Sequence, residues 1–261
     1  MEPSPVARCR RVSRFLLPIL TGLVIFAVWW LTTYFEAFPV GTVPPPGAVA
    51  QGLVEEVGSG RVFSDLIASL YRVAWGYVTA IVAAVPLGLV IGRSLVAKHA
   101  LMPWVNFFRN LSPIAWIPFA IVWFGIGDPP AIFIIFIATF FQIVLATAAA
   151  VASVPKVYYR VAEDMALTNS EILFKITLPA IMPQMVTAFR VAIGVAWMVV
   201  VAAEMMGVGS GLGFLINDAR YALRMDLVVF GMIVIGVIGI ILDIAFARLT
   251  RIPSVRWGFE Q

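Results

Sequence analysis

Apolar residues fill six long runs of this chain, at 15–35, 66–91, 104–126, 131–154, 181–206 and 227–249, with proline or charge between them. Each run reaches the roughly 20 residues that a helix rising about 1.5 Å per residue needs to cross a hydrocarbon core of about 30 Å. Arg, Trp and Tyr stand at the run ends, where headgroups lie, and Pro39, Pro129, Pro130 and Pro155 punctuate the connections. The pattern predicts an all-α, polytopic membrane protein with six transmembrane helices. Arg8, Arg10, Arg11 and Arg14 before the first run imitate a secretory leader, but the run is too long for one and carries Trp29 and Trp30, so it reads as a retained first helix.

Two connections carry shorter patterns. Residues 39–65 open on the rigid, extended Val43-Pro44-Pro45-Pro46-Gly47 and continue as a short helix through Leu53 and Val57 that caps the outer face. The stretch after Met206 is glycine-rich through Gly207, Gly209, Gly211 and Gly213, then reads as a short amphipathic helix through Phe214, Ile216 and Tyr221. It follows a membrane helix rather than a strand and does not match the dinucleotide fingerprint, so its glycines point to close helix approach or a hinge.

Composition narrows the function. Hydrophobic residues make up 62% of the chain and charged residues 12%, so water is not its main solvent. The net charge of +4 is dispersed between apolar runs, which argues against a nucleic-acid partner and for topology signals in the lipid bilayer. Cys9 and His99, one of each, supply neither a metal cluster nor an internal disulfide. Most remaining cations, including Arg93, Lys98, Lys156, Arg160, Lys175, Arg248, Arg251 and Arg256, fall on the side of both termini, whereas Arg61, Arg220 and Arg224 fall opposite. Both termini therefore read as cytosolic, with an arm at 1–14, one membrane domain at 15–250 and a tail at 251–261.

Charges inside the runs need compensation, because a central charge costs roughly 2.5 to 3.5 kcal/mol even on a lenient scale. Arg109, Arg190 and Asp243 count to similar depths from the inner side; Asp243 can pair with Arg190, leaving Arg109 for the pathway or a carbonyl freed by Pro113, and snorkelling is the alternative. Arg72 and Glu204 lie near outer ends, as gate residues or as a structural pair. Ser112, Thr139, Gln142, Thr147 and Gly194 are small or polar candidates for a pathway, with helix packing the competing explanation for Thr147 and Gly194.

The connection at 155–179 is the one inner loop of mixed charge, with Lys156, Arg160, Glu163, Asp164, Glu171 and Lys175. Val161 to Leu167 reads as one short helix and Ile172 to Ile176 as another, with Ser170 and Glu171 as cap and first turn between them. It closes on Ile176-Thr177-Leu178-Pro179. This loop resembles that of the inner-membrane permeases of binding-protein-dependent ABC importers, whose pattern is Glu-Ala-Ala, three residues, Gly, nine residues, Ile-x-Leu-Pro. Anchored on Ile176, Leu178 and Pro179, the Glu-Ala-Ala positions fall on Arg160, Val161 and Ala162, and the glycine falls on Ala166. Arg160 reverses a charge, with Glu163 and Asp164 nearby; Ala166 keeps a small residue, on the expectation that the turn needs close approach more than positive φ.

The flanks extend the resemblance to the nitrate, sulfonate and taurine branch: Leu70-Tyr71-Arg72 with Gly76, Gly88 and Gly92, Arg109 to Pro118, Trp123 to Gly127, Leu178 to Pro183, Arg190, Ala196-Trp197, Ala203-Glu204 and Gly211-Leu212-Gly213. It implies a type I importer permease fold in the inner membrane of a prokaryote. It also implies a homodimer of permeases, two cytosolic ATPase subunits that bind ATP and Mg, an extracytoplasmic solute-binding protein, and a small, anionic class of solute such as nitrate, sulfonate, taurine or bicarbonate. No Gly-x-x-x-x-Gly-Lys-Ser/Thr loop occurs in the chain, so nucleotide would sit on another polypeptide. The lever coupling ATPase to bundle is placed at 162–170, through Ala162, Glu163, Asp164, Ala166, Leu167, Thr168, Asn169 and Ser170. An ion-gradient-driven transporter would more commonly carry paired inverted repeats, and a membrane enzyme clustered nucleophiles; neither is found in the sequence.

Overall fold

The computed structural model describes residues 5–39 and 41–249, with side chains over 16–39 and 41–248. The tail at 251–261 and the arm side chains, Arg8 to Arg14 and Cys9 among them, lie outside the described residues. Among the described residues there is no strand. Helices α1 (Pro5–Tyr34), α2 (Pro46–Ser59) and α3 (Arg61–Arg93) come first, and Gly60, at φ 76°, ends α2 and starts α3 in one left-handed residue. Then follow α4 (Leu95–Arg109), a 3-10 turn at Pro113–Trp116, α5 (Ile117–Phe124) and α6 (Asp128–Ser153). The inner connection holds α7 (Lys156–Asp164), the single turn α8 (Asn169–Glu171) and a π-helical segment at Ile172–Thr177 that runs into α9 (Leu178–Gly207). The last two helices among the described residues are α10 (Leu212–Tyr221) and α11 (Met225–Leu249).

Five helical stretches are long and apolar enough to cross a bilayer, and the third predicted run is not one of them. It is broken: α4 ends at Arg109, and the pair formed by Leu95–Arg109 and Pro113–Phe124 bends by 88°. The cause is local, since Asn110 and Ser112 favour turns and Pro113 and Pro118 each lack the N–H a continuing helix would donate. The sixth span exists only as this bent pair. The fifth predicted run is longer than its apolar part, a continuous helix at Asn169–Gly207.

The core is built on α3 and α6. Gly76, Ala80, Ala84, Gly88 and Gly92 recur every fourth residue on one face of α3, a stripe with almost no side chain, so the backbone of α6 comes close. A Cβ on Gly76 would stand 2.8 Å from the carbonyl of Ile132, and one on Gly88 2.8 Å from that of Val144. Helix α9 packs on the other side of α6, with Ala196 and Val200 fully buried, and the indole of buried Trp197 donates to the Ile235 carbonyl of α11 at 3.0 Å. Thr139 and Thr147 are fully buried on α6 and return their hydroxyls to Ile135 and Ile143, so in this conformation both pack within the chain. Gly194 meets nothing within 4 Å of where a Cβ would sit; close helix packing within the chain does not explain it. Helix α1 stands off the bundle, its spanning window unburied, touching it where Trp29 donates to the Pro44 carbonyl.

Candidate functional site

The inner connection has a more specific geometry than its charge pattern predicts. Helix α7 stops in a Schellman turn: the N–H of Leu167 reaches the carbonyl of Ala162 at 3.0 Å and that of Ala166 reaches Glu163 at 2.9 Å. That turn requires a left-handed residue after the cap, and Ala166 provides it at φ 52°. The expectation that close approach matters more here than positive φ is overturned: Ala166 is exposed, and its left-handed backbone is one that glycine adopts without strain. A residue with a Cβ pays roughly 1 to 2 kcal/mol there. Ala166→Gly should therefore raise the melting temperature of the purified chain, and Ala166→Val should lower it; equal melting of both would contradict a strained turn.

Two residues on, the cap is Thr168 and not Ser170. The Thr168 hydroxyl accepts from the N–H of Glu171 while the Glu171 carboxylate accepts from the N–H of Thr168 at 3.0 Å, a reciprocal box closed further by Lys175 at 2.8 Å. Asn169 and Ser170 sit inside the turn, exposed. The lever at 162–170 is thus not one helix but the end of α7, a tight turn and the capped start of the next. Beyond it, Pro179 has no N–H for the Lys175 carbonyl, the ladder widens, and the N–H of Leu178 reaches back to Leu173. Buried Thr177 bonds Ile172 at 3.2 Å within that wide turn and meets the Tyr159 hydroxyl of α7 at 3.5 Å. Ile176 and Leu178 are half-buried, and Pro179 is exposed.

This element buries a narrow face and exposes a broad one. Ala162 is fully buried, whereas Val161 is 50% exposed, Met165 67% and Phe174 67%, beside the exposed charges of Arg160, Glu163 and Asp164. Apolar and charged groups alternate on one outward surface.

At the opposite end, Arg72 and Glu204 meet in the interior, 1% and 0% exposed, at 2.6 Å. Arg72 also donates to Asp128 at 2.8 Å and to Ser210, and Glu204 accepts from Ser69 at 2.9 Å. The glycine-rich turn folds onto them: the N–H groups of Gly211, Leu212 and Gly213 donate to Asp65, Ser69 and Glu204 at 2.8, 3.0 and 2.9 Å. Carboxylates of α3 and α9 thereby cap the start of α10. Gly211, at φ 107°, presses against the Glu204 carboxylate, and Gly213 against the carbonyl of Val201, so neither position accepts a Cβ. In this conformation Arg72 and Glu204 form a structural clasp and face no open gate. Above it, Arg61 bonds Asp218 at 2.6 Å, and Arg224 bonds Glu55 at 2.9 Å. The Arg224 hydrogen bond holds the Glu55 carboxyl below its ordinary value, so that pair is complete above the usual carboxylate range and breaks only as pH falls below it.

Arg190 and Asp243 pair across α9 and α11 through two bonds, at 2.8 and 2.6 Å, and both stay accessible from outside the chain. Arg109 joins neither them nor a carbonyl near Pro113; it is exposed at the end of α4. Ser112 is exposed at the break, and Gln142 is half-buried on α6. Asp65, Ser69, Asp128 and Ser210 are the contributors that sequence reasoning passed over, and Thr168, placed in the lever, has a capping role that it did not assign.

Helical spans, a capped and partly strained connection at one face and a buried polar clasp near the other define a multi-pass helical membrane protein. Residues 84–253 match the model of the binding-protein-dependent transport system inner membrane component. The taurine transport system permease protein of Escherichia coli (strain K12) is 30% identical over 90% of this chain and 87% of its own. The nitrate import permease protein of Leptolyngbya laminosa is 38% identical over 71% and 68%. A chain of the MetNI methionine ABC transporter, in an inward-facing conformation, shares the fold with a TM-score of 0.62 at 19% identity, over 76% of this chain and 96% of that one. The chain belongs to the family of binding-protein-dependent transport system inner membrane components. It is an ABC transporter permease of the inner membrane, a transport subunit and not an enzyme, and the gradient-driven alternative is not favoured.

Proposed function

We propose that two copies of this chain form the entry path for a small oxyanion, and that residues 155–179 are where a cytosolic ATPase subunit grips each copy. The observation that carries this reading is the outward surface of the inner connection, where Val161, Met165 and Phe174 stand exposed among Arg160, Glu163 and Asp164. Apolar groups displayed in a polar setting beyond the membrane mark a protein contact. ATP and Mg belong to that partner. The Schellman turn and the Thr168 box make the gripped element stiff, while the π-helical segment at Ile172–Thr177 is the joint through which its displacement reaches α9.

The second copy is supported by what one copy leaves uncovered: α1 and the aromatic outer side of the broken span, with Phe119 57% and Trp123 55% exposed. The oxyanion is supported by the relatives named for taurine and nitrate, and by the accessible Arg190. The distribution of Lys and Arg supports a cytosolic position for both termini. A solute-binding protein would meet the face braced by α2 and α10.

The test is co-purification with the ATPase encoded beside this chain. Val161→Asp with Met165→Asp should reduce capture of the ATPase about tenfold or more, in line with burying an unpaired charge at an interface, while the chain still inserts. Unchanged capture would remove the contact from this loop. Solute identity follows from which oxyanion, with the binding protein present, stimulates ATP hydrolysis.

A further inference from the structure

Arg93 ends α3, Lys98 lies in the first turn of α4, and Arg109 ends α4; all three, with Asn106, line one cavity of about 460 Å³ between α4 and the α3–α6 pair. Its wall on α6 includes Ala148 and Ala149, and no carboxylate lines it. Among the described residues the three cations have no carboxylate partner: the salt bridges involve Arg61, Arg72, Lys175, Arg190 and Arg224 instead. By contrast, Arg72 on α3 and Arg190 on α9 are each neutralised by a carboxylate. Arg109 stands exposed where α4 ends at the bend, and its long stem can carry the guanidinium toward a headgroup.

We infer that this groove binds an anionic phospholipid of the cytosolic leaflet, the phosphate held by Arg93, Lys98 and Arg109 and an acyl chain lying on the alanines of α6. Cations at helix ends followed by a wall of small apolar side chains match an amphiphile, headgroup first and chain second, and basic pockets between membrane helices on the cytosolic side take such headgroups. A small free oxyanion would leave the alanine wall unfilled. The inference rests on the orientation proposed above, which epitope accessibility at the termini tests separately.

The experiment is native mass spectrometry of the full chain, released from nanodiscs that contain phosphatidylglycerol, cardiolipin and phosphatidylethanolamine. The wild type should retain one anionic lipid per chain in preference to phosphatidylethanolamine. Arg93→Gln with Lys98→Gln should lower that retention by roughly tenfold or more, as should Ala149→Phe, which fills the wall without touching a charge; Lys156→Gln, outside the groove, should not. Retention of phosphatidylethanolamine as tightly, or of anionic lipid undiminished in both groove variants, would overturn the site. Displacement of the lipid by millimolar inorganic phosphate or a small alkanesulfonate would assign the groove to a free oxyanion and also end the lipid proposal. None of these outcomes depends on ATPase capture.

Discussion

Arg72→Met is expected to destabilise the chain by about 3 to 5 kcal/mol, the range for breaking a buried ion pair by removing one partner. The substitution leaves Glu204, with 0% exposure, facing Ser69 and the N–H of Gly213 but no cation. It also releases Asp128 and Ser210, so the start of α6 and the glycine turn lose their shared anchor. Glu204→Gln in the same chain should recover part of the loss, because the stranded charge is then gone. Denaturant titration of the detergent-solubilised chain reads both variants. A single Arg72→Met variant as stable as the wild type would show that the clasp contributes little.

Gly88→Leu is expected to have the second-largest effect. A Cβ at this position would already stand 2.5 Å from that of Thr147 and 2.8 Å from the Val144 carbonyl, and a backbone carbonyl inside α6 cannot move aside as a side chain can. Overpacking typically costs about 1 to 3 kcal/mol; here α3 and α6 must separate, so the upper part of that range or beyond is expected. Gly22→Leu on α1, with open space around it, is the matched control and should leave stability unchanged. The same denaturant titration distinguishes them, and equal stability of the two variants would mean that the α3–α6 seam is not closely packed.

Much of the architecture could be read before any coordinates, because hydropathy acts over whole helices. The break in the third span was missed although its signal was present: Asn110, Ser112 and Pro113 interrupt an otherwise apolar run, and run length alone outweighed them. The cap at Thr168 was also available, since Thr168-Asn169-Ser170-Glu171 has the spacing of a capping box. Counting depth put Arg190 and Asp243 at one level, and the structure pairs them. By contrast, the joining of Arg72 and Glu204 to Asp65, Asp128 and the glycine turn depends on which helices are neighbours. Only the spacing of Asp65, Ser69 and Arg72 along one face of α3 hinted at it. Ala166 was misjudged because its φ of 52° is set by the Schellman turn, which a motif position alone does not reveal.

The most direct measurement is site-specific cross-linking in the assembled complex. In a Cys9→Ser background, a single cysteine placed by Val161→Cys or Met165→Cys should cross-link to the ATPase subunit and should resist a membrane-impermeant thiol reagent added to intact cells. Labelling of either cysteine from outside the cell, or an assembled complex in which neither reaches another subunit, would contradict the account.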